Sequence, residues 1–212
     1  FWRGKCSRQE GGCWLSSDFR VNMARIARRL KNMIRGKFVR CAASLDFIKG
    51  NSMSGKDFFS ILFVCHGNVC RSPTAEGVMR KRLAATGWSG RIRLDSAGTH
   101  GYHVGEPPDA RSMRAAAGRG YDLSTQRARQ VADEDFSAFD LILAADRHNL
   151  DDLRRRCPEE LSDRLHLMLE PLGKDREVPD PYYGGDRGFE QVLDVLEAAC
   201  DAWLARIEAG LR

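Results

Sequence analysis

The sequence lacks a long apolar run. No stretch comes near the roughly 18 consecutive apolar residues that a membrane-spanning helix needs. Its seven cysteines include no C-x-x-C pair and no cluster with histidine at zinc-ligand spacing. These absences argue against a membrane span, a zinc module and a disulfide framework. They favour a reduced protein of the cytoplasm.

Acidic residues are scarce at the start of the chain. Residues 1–52 hold 12 Lys and Arg but 3 Asp and Glu, whereas the remainder holds 22 basic and 26 acidic residues. The net charge of +5 therefore belongs to the first segment, and we expect no nucleic-acid partner. The 212 residues suffice for one domain with a core plus an addition. We expect a domain over 53–212 and a basic extension, not a folded module, over 1–52.

The extension has a helical pattern. Apolar residues between 19 and 34 recur every three or four positions, with arginine and lysine on the other faces, which predicts a basic amphipathic helix. One interpretation is a membrane-surface or organelle-targeting segment, because such segments are rich in arginine and poor in acids. The other is that Met53 is the natural start, since the chain begins with Phe1. We favour the second.

Apolar runs and helical stripes alternate along the rest of the chain. They predict strand 59–64, helix 74–86, strand 91–95, helices 109–118 and 133–138, strand 140–145, helix 147–156, strand 165–169 and helix 187–208. This order predicts an α/β fold in three layers, a four-stranded parallel sheet with helices on both faces, of the flavodoxin-like or Rossmann-like type. Functional groups are then expected at the carboxyl ends of the strands.

One stripe of the last predicted helix is apolar at helical spacing, which predicts a core face. Its members are Phe189, Val192, Leu193, Leu196, Ala199, Cys200, Trp203, Leu204 and Ile207. We assign Cys200 and Trp203 no functional role.

The most informative segment follows the first strand. Cys65 and Arg71 lie on one short loop, and Pro73 suits the first turn of the next helix. A helix start directs backbone N–H groups and partial positive charge at one point, which favours a phosphate group and a thiolate there. The guanidinium of Arg71 matches two phosphate oxygens. Gly67 and Asn68 are residue types that accept the positive φ of a tight loop.

The segment Cys65–Glu76, C-H-G-N-V-C-R-S-P-T-A-E, resembles the phosphate loop of the low-molecular-weight protein tyrosine phosphatases. Asp180–Gly184, D-P-Y-Y-G, resembles the general-acid loop of the same family. Weaker matches lie at 95–99 and 140–146. The resemblance covers about residues 57 to 209.

The resemblance implies hydrolysis of phosphotyrosine in protein substrates, and of small aryl phosphates, through a cysteinyl-phosphate intermediate without a cofactor. The implied catalytic residues are Cys65, Arg71 and Asp180. The implied phosphate-binding residues are His66, Gly67, Asn68, Val69, Cys70, Arg71 and Ser72. The implied walls of the substrate site are Tyr102, His103, Tyr182 and Tyr183. The sequence does not indicate an oligomeric state.

Several single residues have simpler alternatives. Asp180 is also a common turn residue before proline, and Asp146 is expected to cap the helix 147–156. Ser72 is expected to donate to the thiolate and Asn68 to hold the loop by side-chain hydrogen bonds. At Gln126 the chain departs from many family members, which carry a histidine there. Glutamine can form hydrogen bonds but cannot become a cation.

Cys65 and Cys70 share the loop, so we predict reversible inactivation by peroxide through a disulfide between them. The alternative is that Cys70 only fills the inner side of the loop. The histidines His66, His100, His148 and His166 are scattered along the chain without the carboxylate or cysteine neighbours of a metal site, so we expect none there.

Three other functions compete. An arsenate reductase shares the loop but needs a close pair of further cysteines, whereas Cys157 and Cys200 are far apart in sequence. A protein arginine phosphatase of the same family tends to carry threonine at the position of Val69. A protein that only binds phosphotyrosine would not need Cys65, Arg71 and Asp180 together.

Overall fold

The computed structural model describes residues 58–211. The predicted extension over 1–52, with its amphipathic pattern, lies outside them. The domain boundary at 53 therefore stays a prediction. In the described part of the chain, no helix is both long and apolar enough to cross a membrane.

Four parallel strands form one sheet within the described residues. They are β1 (Phe59–Cys65), β2 (Ile92–Gly98), β3 (Leu141–Ala144) and β4 (Leu165–Leu167), in the order β2-β1-β3-β4. The helices are α1 (Arg71–Ala84), α2 (Ala110–Gly118), α3 (Asp135–Ala138), α4 (Arg147–Arg156) and α5 (Asp186–Leu211), with 3-10 helices at Glu159–Arg164 and Glu170–Leu172. The predicted α/β fold is confirmed.

Alternate residues of β1 belong to two different cores, because successive side chains of a strand point to opposite faces. Ile61 and Phe63 pack in a cluster that contains the buried faces of α1 and α5. Leu62 and Val64 pack in a second cluster with residues of α3 and α4. Helices therefore cover both faces of the sheet, which gives the predicted three layers.

The predicted apolar stripe of the last helix is confirmed as core. All nine residues are buried, and the indole N–H of Trp203 donates to the carbonyl of Met168 at 2.9 Å. Cys200 is buried in the same cluster. Both residues therefore have a packing role that explains them.

Two boundaries next to the predicted site are wrong. α1 begins at Arg71 rather than at 74, so Pro73 is inside its first turn. First-turn amides have no partner within a helix, so proline is accepted there. β2 continues to Gly98 rather than ending at 95, because Gly98 pairs in register with Cys65. Short polar and small residues give a weak strand signal that the ladder with β1 overrides.

The other boundaries differ by a few residues at most, within the usual fraying of element ends. α3 begins at Asp135 rather than at 133, and β4 ends at Leu167 rather than at 169. α4 has the predicted bounds, 147–156.

Candidate active site

A cleft of about 270 Å³ lies at the carboxyl end of β1. Most of the predicted site residues line it: Cys65, His66, Gly67, Val69, Cys70, Arg71, Tyr102, His103, Asp180, Tyr182 and Tyr183. The other two predicted residues, Asn68 and Ser72, are buried beside it. The fold thus brings the two sequence motifs, more than a hundred positions apart, to one place.

The shape of the loop depends on two positions. Asn68 has a φ of 56°, the left-handed conformation that asparagine tolerates better than most residues. Gly67 is not in this region, so the expectation of a positive φ there is wrong. Gly98 is required for a different reason. A Cβ at Gly98 would lie 2.8 Å from the carbonyl oxygen of His66, so only glycine lets the loop pack on the end of β2.

The side chain of Asn68 holds the loop in place through three hydrogen bonds. Its amide nitrogen donates to Ser72 Oγ at 2.9 Å and to Ser96 Oγ at 3.1 Å, and its oxygen accepts from the backbone N–H of Arg129 at 2.9 Å. Both protons and the carbonyl oxygen of the amide are therefore used, and the rotamer has no freedom.

A chain of buried hydrogen bonds runs from the cleft into the protein. Cys65 Sγ lies 3.1 Å from Ser72 Oγ, which contacts Asn68. Beyond Asn68, Ser96 Oγ donates to Glu76 Oε2 at 2.7 Å. Glu76 is buried and also pairs with Arg80. A buried carboxylate thus ends a chain that starts at the sulfur.

Arg71 is held between two carboxylates. Its side chain is 4% exposed, and Nη1 donates to Asp146 Oδ2 at 2.5 Å while Nη2 donates to Asp180 Oδ2 at 2.9 Å. Burial disfavours the charged guanidinium, but the charges of Cys65, Asp180 and Asp146 outweigh this and hold the pKa of Arg71 above its usual value. Arg71 therefore stays cationic in the floor of the cleft.

Asp146 has two functions at once. Its Oδ1 accepts the backbone N–H of Asn149 at 2.8 Å, which is the predicted cap of α4. Its Oδ2 orients Arg71. Burial raises its pKa, but the backbone N–H of Asn149 and the charge of Arg71 overcome this and lower the pKa of Asp146. Asp146 is therefore an ionised partner for the arginine.

Asp180 lies at the open side of the cleft. Its side chain is half exposed, and its Oδ1 accepts the backbone N–H of Tyr182 at 3.1 Å. This is the turn that the simpler interpretation of Asp180 predicts. The other oxygen faces Arg71, so the turn and a place in the site are compatible.

Aromatic side chains form the rim. The rings of Tyr182 and Tyr183 meet edge to face at 5.1 Å, and His103 lies 6.4 Å from Tyr182 between ring centroids. His103 is oriented by Glu106, 2.7 Å from its Nδ1. Tyr102 also lines the cleft and is mostly exposed. The walls are thus apolar ring faces above a polar floor.

The start of α1 offers unused donors. The cap residue Cys70 makes no side-chain hydrogen bond to the first turn, so no cap competes for the N-terminal N–H groups. Burial raises the pKa of Cys70 to about 12, so this cysteine is a neutral thiol. An anion in the cleft would face the end of the helix.

Three of the four histidines are not scattered in space. The ring of His66 lies 4.1 Å from that of His100 and 6.4 Å from that of His148. Two of the histidines also have a single carboxylate beside them, in each case four positions later in the sequence. His148 Nε2 lies 3.7 Å from Asp152, and His166 Nδ1 lies 2.8 Å from Glu170. Spacing along the chain indicates these two carboxylate contacts, but it does not show the meeting of His66, His100 and His148, which come from different loops and a helix.

A sequence model described as low molecular weight phosphotyrosine protein phosphatase matches residues 60–212. The chain belongs to this family. A low molecular weight protein-tyrosine-phosphatase of Streptomyces coelicolor is 44% identical over 154 residues, 70% of this chain and 93% of the relative. The human low molecular weight phosphotyrosine protein phosphatase is 41% identical over 152 residues, 69% of this chain and 94% of the relative.

A crystal structure of a protein tyrosine phosphatase from Entamoeba histolytica, with Hepes in its active site, superposes with a TM-score of 0.69. It is 41% identical, and the match covers 73% of this chain and 99% of that one. The phosphatase family thus accounts for nearly the whole described part of the chain.

In this phosphatase, the position where many family members carry histidine does not contact the loop directly. Gln126 Nε2 donates to the carbonyl of Pro73 at 3.1 Å, in the first turn of α1. Its Oε1 is buried without a hydrogen-bond partner among the described residues. Gln126 therefore braces the helix start.

Sequence reasoning gave no site role to Glu76, Ser96 or Asp146. Glu76 lies four positions after Ser72, one helical turn on the same face, and this spacing was the available signal. Ser96 lies in one of the weaker motif matches. Asp146 was assigned only as a cap, and nothing local indicates that its second oxygen faces Arg71.

Proposed function

We propose that this chain is a protein-tyrosine phosphatase in which Cys65 is the nucleophile, Arg71 binds the phosphoryl oxygens and Asp180 is the general acid. The observation that carries the proposal is the convergence of these three side chains on one cleft at the start of α1. Family membership supports the reaction class.

In the first step the phosphate dianion of the substrate binds against the loop N–H groups and Arg71. The Cys65 thiolate attacks phosphorus, the bond from phosphorus to the tyrosine oxygen breaks, and Asp180 gives its proton to that oxygen. Positioning and charge stabilisation supply most of the rate in such transfers. Ser72, 3.1 Å from Sγ, stabilises the thiolate before attack.

In the second step water attacks the cysteinyl phosphate. Asp180, now ionised, takes a proton from that water, the bond from sulfur to phosphorus breaks, and inorganic phosphate leaves. Ser72 again stabilises the departing thiolate. The cycle needs no cofactor, since one carboxyl group serves as acid and then as base.

The aromatic rim favours an aryl substrate. The rings of Tyr102, Tyr182 and Tyr183 stand above the floor, so a flat phenyl ring can stack between them while the phosphate reaches the loop. A phosphotyrosine side chain of a protein substrate has the length and shape that this arrangement requires. We propose the cytoplasm as the site of action, because the catalytic thiol must remain reduced.

Turnover of three substrates tests this function. We expect a phosphotyrosine peptide to be hydrolysed at least about 100-fold more efficiently than a phosphoarginine peptide, a difference of roughly 3 kcal/mol in transition-state binding. We expect no reduction of arsenate, because Cys200 lies in the core on one face of the sheet and Cys157 packs against the core on the other, so they cannot form the close pair of further cysteines that the reductase needs. Preference for phosphoarginine, or thiol-dependent arsenate reduction, would refute the assignment.

Peroxide is expected to inactivate the enzyme reversibly. It oxidises the Cys65 thiolate to a sulfenic acid, and Cys70 then attacks that sulfur with loss of water to give a disulfide. Burial keeps Cys70 as a neutral thiol with a pKa raised to about 12, so its proton leaves as the bond forms. The oxidised wild type should lose the mass of two hydrogen atoms and regain activity with thiol.

The matched variant is Cys70→Ser, which keeps a small polar residue at the position. We expect it to recover much less activity after the same treatment, because its sulfenic acid is oxidised further. Equal recovery of both proteins would leave Cys70 with a packing role only.

A further inference from the structure

Three histidines meet beside the cleft. The ring of His66 faces those of His100 and His148, at 4.1 and 6.4 Å between centroids. His100 also stacks on Tyr102 at 5.4 Å with an interplanar angle of 10°. His66 and Tyr102 line the cleft itself, so the group formed by His66, His100 and His148, the histidine cluster, adjoins the proposed site.

The cluster comes from three elements. His66 is on the loop after β1, His100 follows β2, and His148 is in the first turn of α4. No hydrogen bond within the described residues uses the ring nitrogens of His66. His148 is well exposed, and its Nε2 is 3.7 Å from Asp152. The cluster therefore has unused donors at the edge of the substrate cleft.

The charges around the cluster are mixed. Arg71 and Asp180 act on His66 from the floor and rim of the cleft, and Asp152 acts on His148 from its own helix. His100 contacts the neutral hydroxyl of Thr99 at 3.0 Å. Burial, then the neighbouring His100, Arg71 and His148, lower the pKa of His66, and Asp180 opposes this only in part. Without a bound anion, burial and the neighbouring basic side chains thus disfavour the charged form of His66.

The cluster does not suit a metal ion. No group of three or more histidine, cysteine or acidic side chains in the described part of the chain has the arrangement that could hold one. A ligand must instead satisfy close imidazole rings that repel each other when protonated. An anion does so, because it accepts hydrogen bonds from imidazolium groups and cancels their repulsion.

We propose that the histidine cluster is a specificity subsite that binds an acidic side chain of the protein substrate near its phosphotyrosine. The proposal rests on the function proposed above and adds a preference for acidic phosphopeptides. The carboxylate would bind beside Tyr102, which stacks on His100.

The preference depends on pH with a definite sign. An anion favours the protonated imidazoles, so its binding takes up protons and strengthens as pH falls through the range where histidine titrates. A carboxylate on the substrate remains ionised there. We therefore expect the preference for acidic peptides to grow from pH 7.5 to pH 5.5.

The test uses two phosphotyrosine peptides, one with glutamates flanking the phosphotyrosine and one with glutamines in their places. The quantity measured is the ratio of their kcat/KM values, in which the titration of the phosphate and of the catalytic groups cancels. For the wild type we expect this ratio to rise about threefold between pH 7.5 and pH 5.5, the size of an ion pair in partly exposed surroundings.

Two variants remove one or two rings of the histidine cluster and leave the proposed catalytic residues unchanged. His148→Gln changes an exposed residue of α4, and His100→Asn with His148→Gln removes a second ring. Both should hydrolyse para-nitrophenyl phosphate like the wild type, and the rise in the ratio should shrink or vanish. Arg154→Gln, at the other end of α4, is the control. It removes a positive charge away from the cluster and should leave the rise intact.

Each result decides the question. A flat ratio in the wild type, or an equal rise in the wild type and the double variant, overturns the subsite. Binding of the same peptides to the Cys65→Ser protein, followed by fluorescence anisotropy, gives the ratio without turnover. A loss of the subsite is thereby distinguished from a failure of the proposed function.

Discussion

Replacement of Cys65 by serine is expected to lower kcat on phosphotyrosine by at least about 10³-fold. A serine hydroxyl remains protonated at neutral pH and is a weak nucleophile, so the covalent step fails. The loop N–H groups and Arg71 are unchanged, so inorganic phosphate should still bind. Steady-state kinetics measure the loss of kcat. Competition between phosphate and a fluorescent aryl phosphonate measures phosphate binding.

Cys157→Ser is the matched control for this variant. Cys157 is half-buried at the end of α4, away from the cleft, and the same exchange of sulfur for oxygen there should leave kcat unchanged. Substantial phosphatase activity in the Cys65→Ser protein would remove Cys65 from the role of nucleophile.

Replacement of Asp180 by alanine should lower kcat on a phosphotyrosine peptide by about 10²–10⁴-fold, the range for loss of a general acid. The loss should be smaller on para-nitrophenyl phosphate, whose leaving group departs without a proton. The variant also removes a carboxylate that occupies Nη2 of Arg71 at 2.9 Å. Phosphate and substrate should therefore bind as well as in the wild type or more tightly.

Asp175→Ala is the control for Asp180, since Asp175 is an exposed carboxylate on the same connection and pairs with Arg147. Its removal should leave kcat unchanged on both the phosphotyrosine peptide and para-nitrophenyl phosphate. If Asp180→Ala reduces kcat equally on both substrates, Asp180 has only the structural role of holding the turn at Tyr182.

The elements of the fold were predictable because each has a local cause. Asp146 caps α4 through its own side chain, and the bounds 147–156 follow from that cap and the arginines before Cys157. The stripe of α5 repeats at helical spacing and is buried throughout. The end of β2 was missed because it depends on pairing with β1, and the start of α1 was missed because several first-turn positions accept proline.

In the candidate site, too, some residues were predictable from the sequence and some contacts were not. Cys65, Arg71 and Asp180 were found because loops with distinctive residues carry them. The contact of Asp146 with Arg71, and the meeting of His66, His100 and His148, join residues that are between about 34 and 82 positions apart. Spacing along the chain does not encode such contacts, since they depend on how the loops at the strand ends pack together.

The buried hydrogen bonds that link Glu76 to Cys65 have a defined donor-to-acceptor direction. Glu76 pairs with Arg80 and accepts the hydroxyl proton of Ser96, so the oxygen of Ser96 accepts from the Asn68 amide. The second proton of the Asn68 amide occupies the oxygen of Ser72, so the Ser72 hydroxyl is free to donate its own proton, either to the sulfur at 3.1 Å or to the carbonyl of Ala97 at 3.3 Å. One acid in the interior thus sets the direction of the hydrogen bonds from Glu76 as far as the Ser72 oxygen. A glutamine at position 76 would keep the shape of the loop and lose that direction, because an amide can either give or accept.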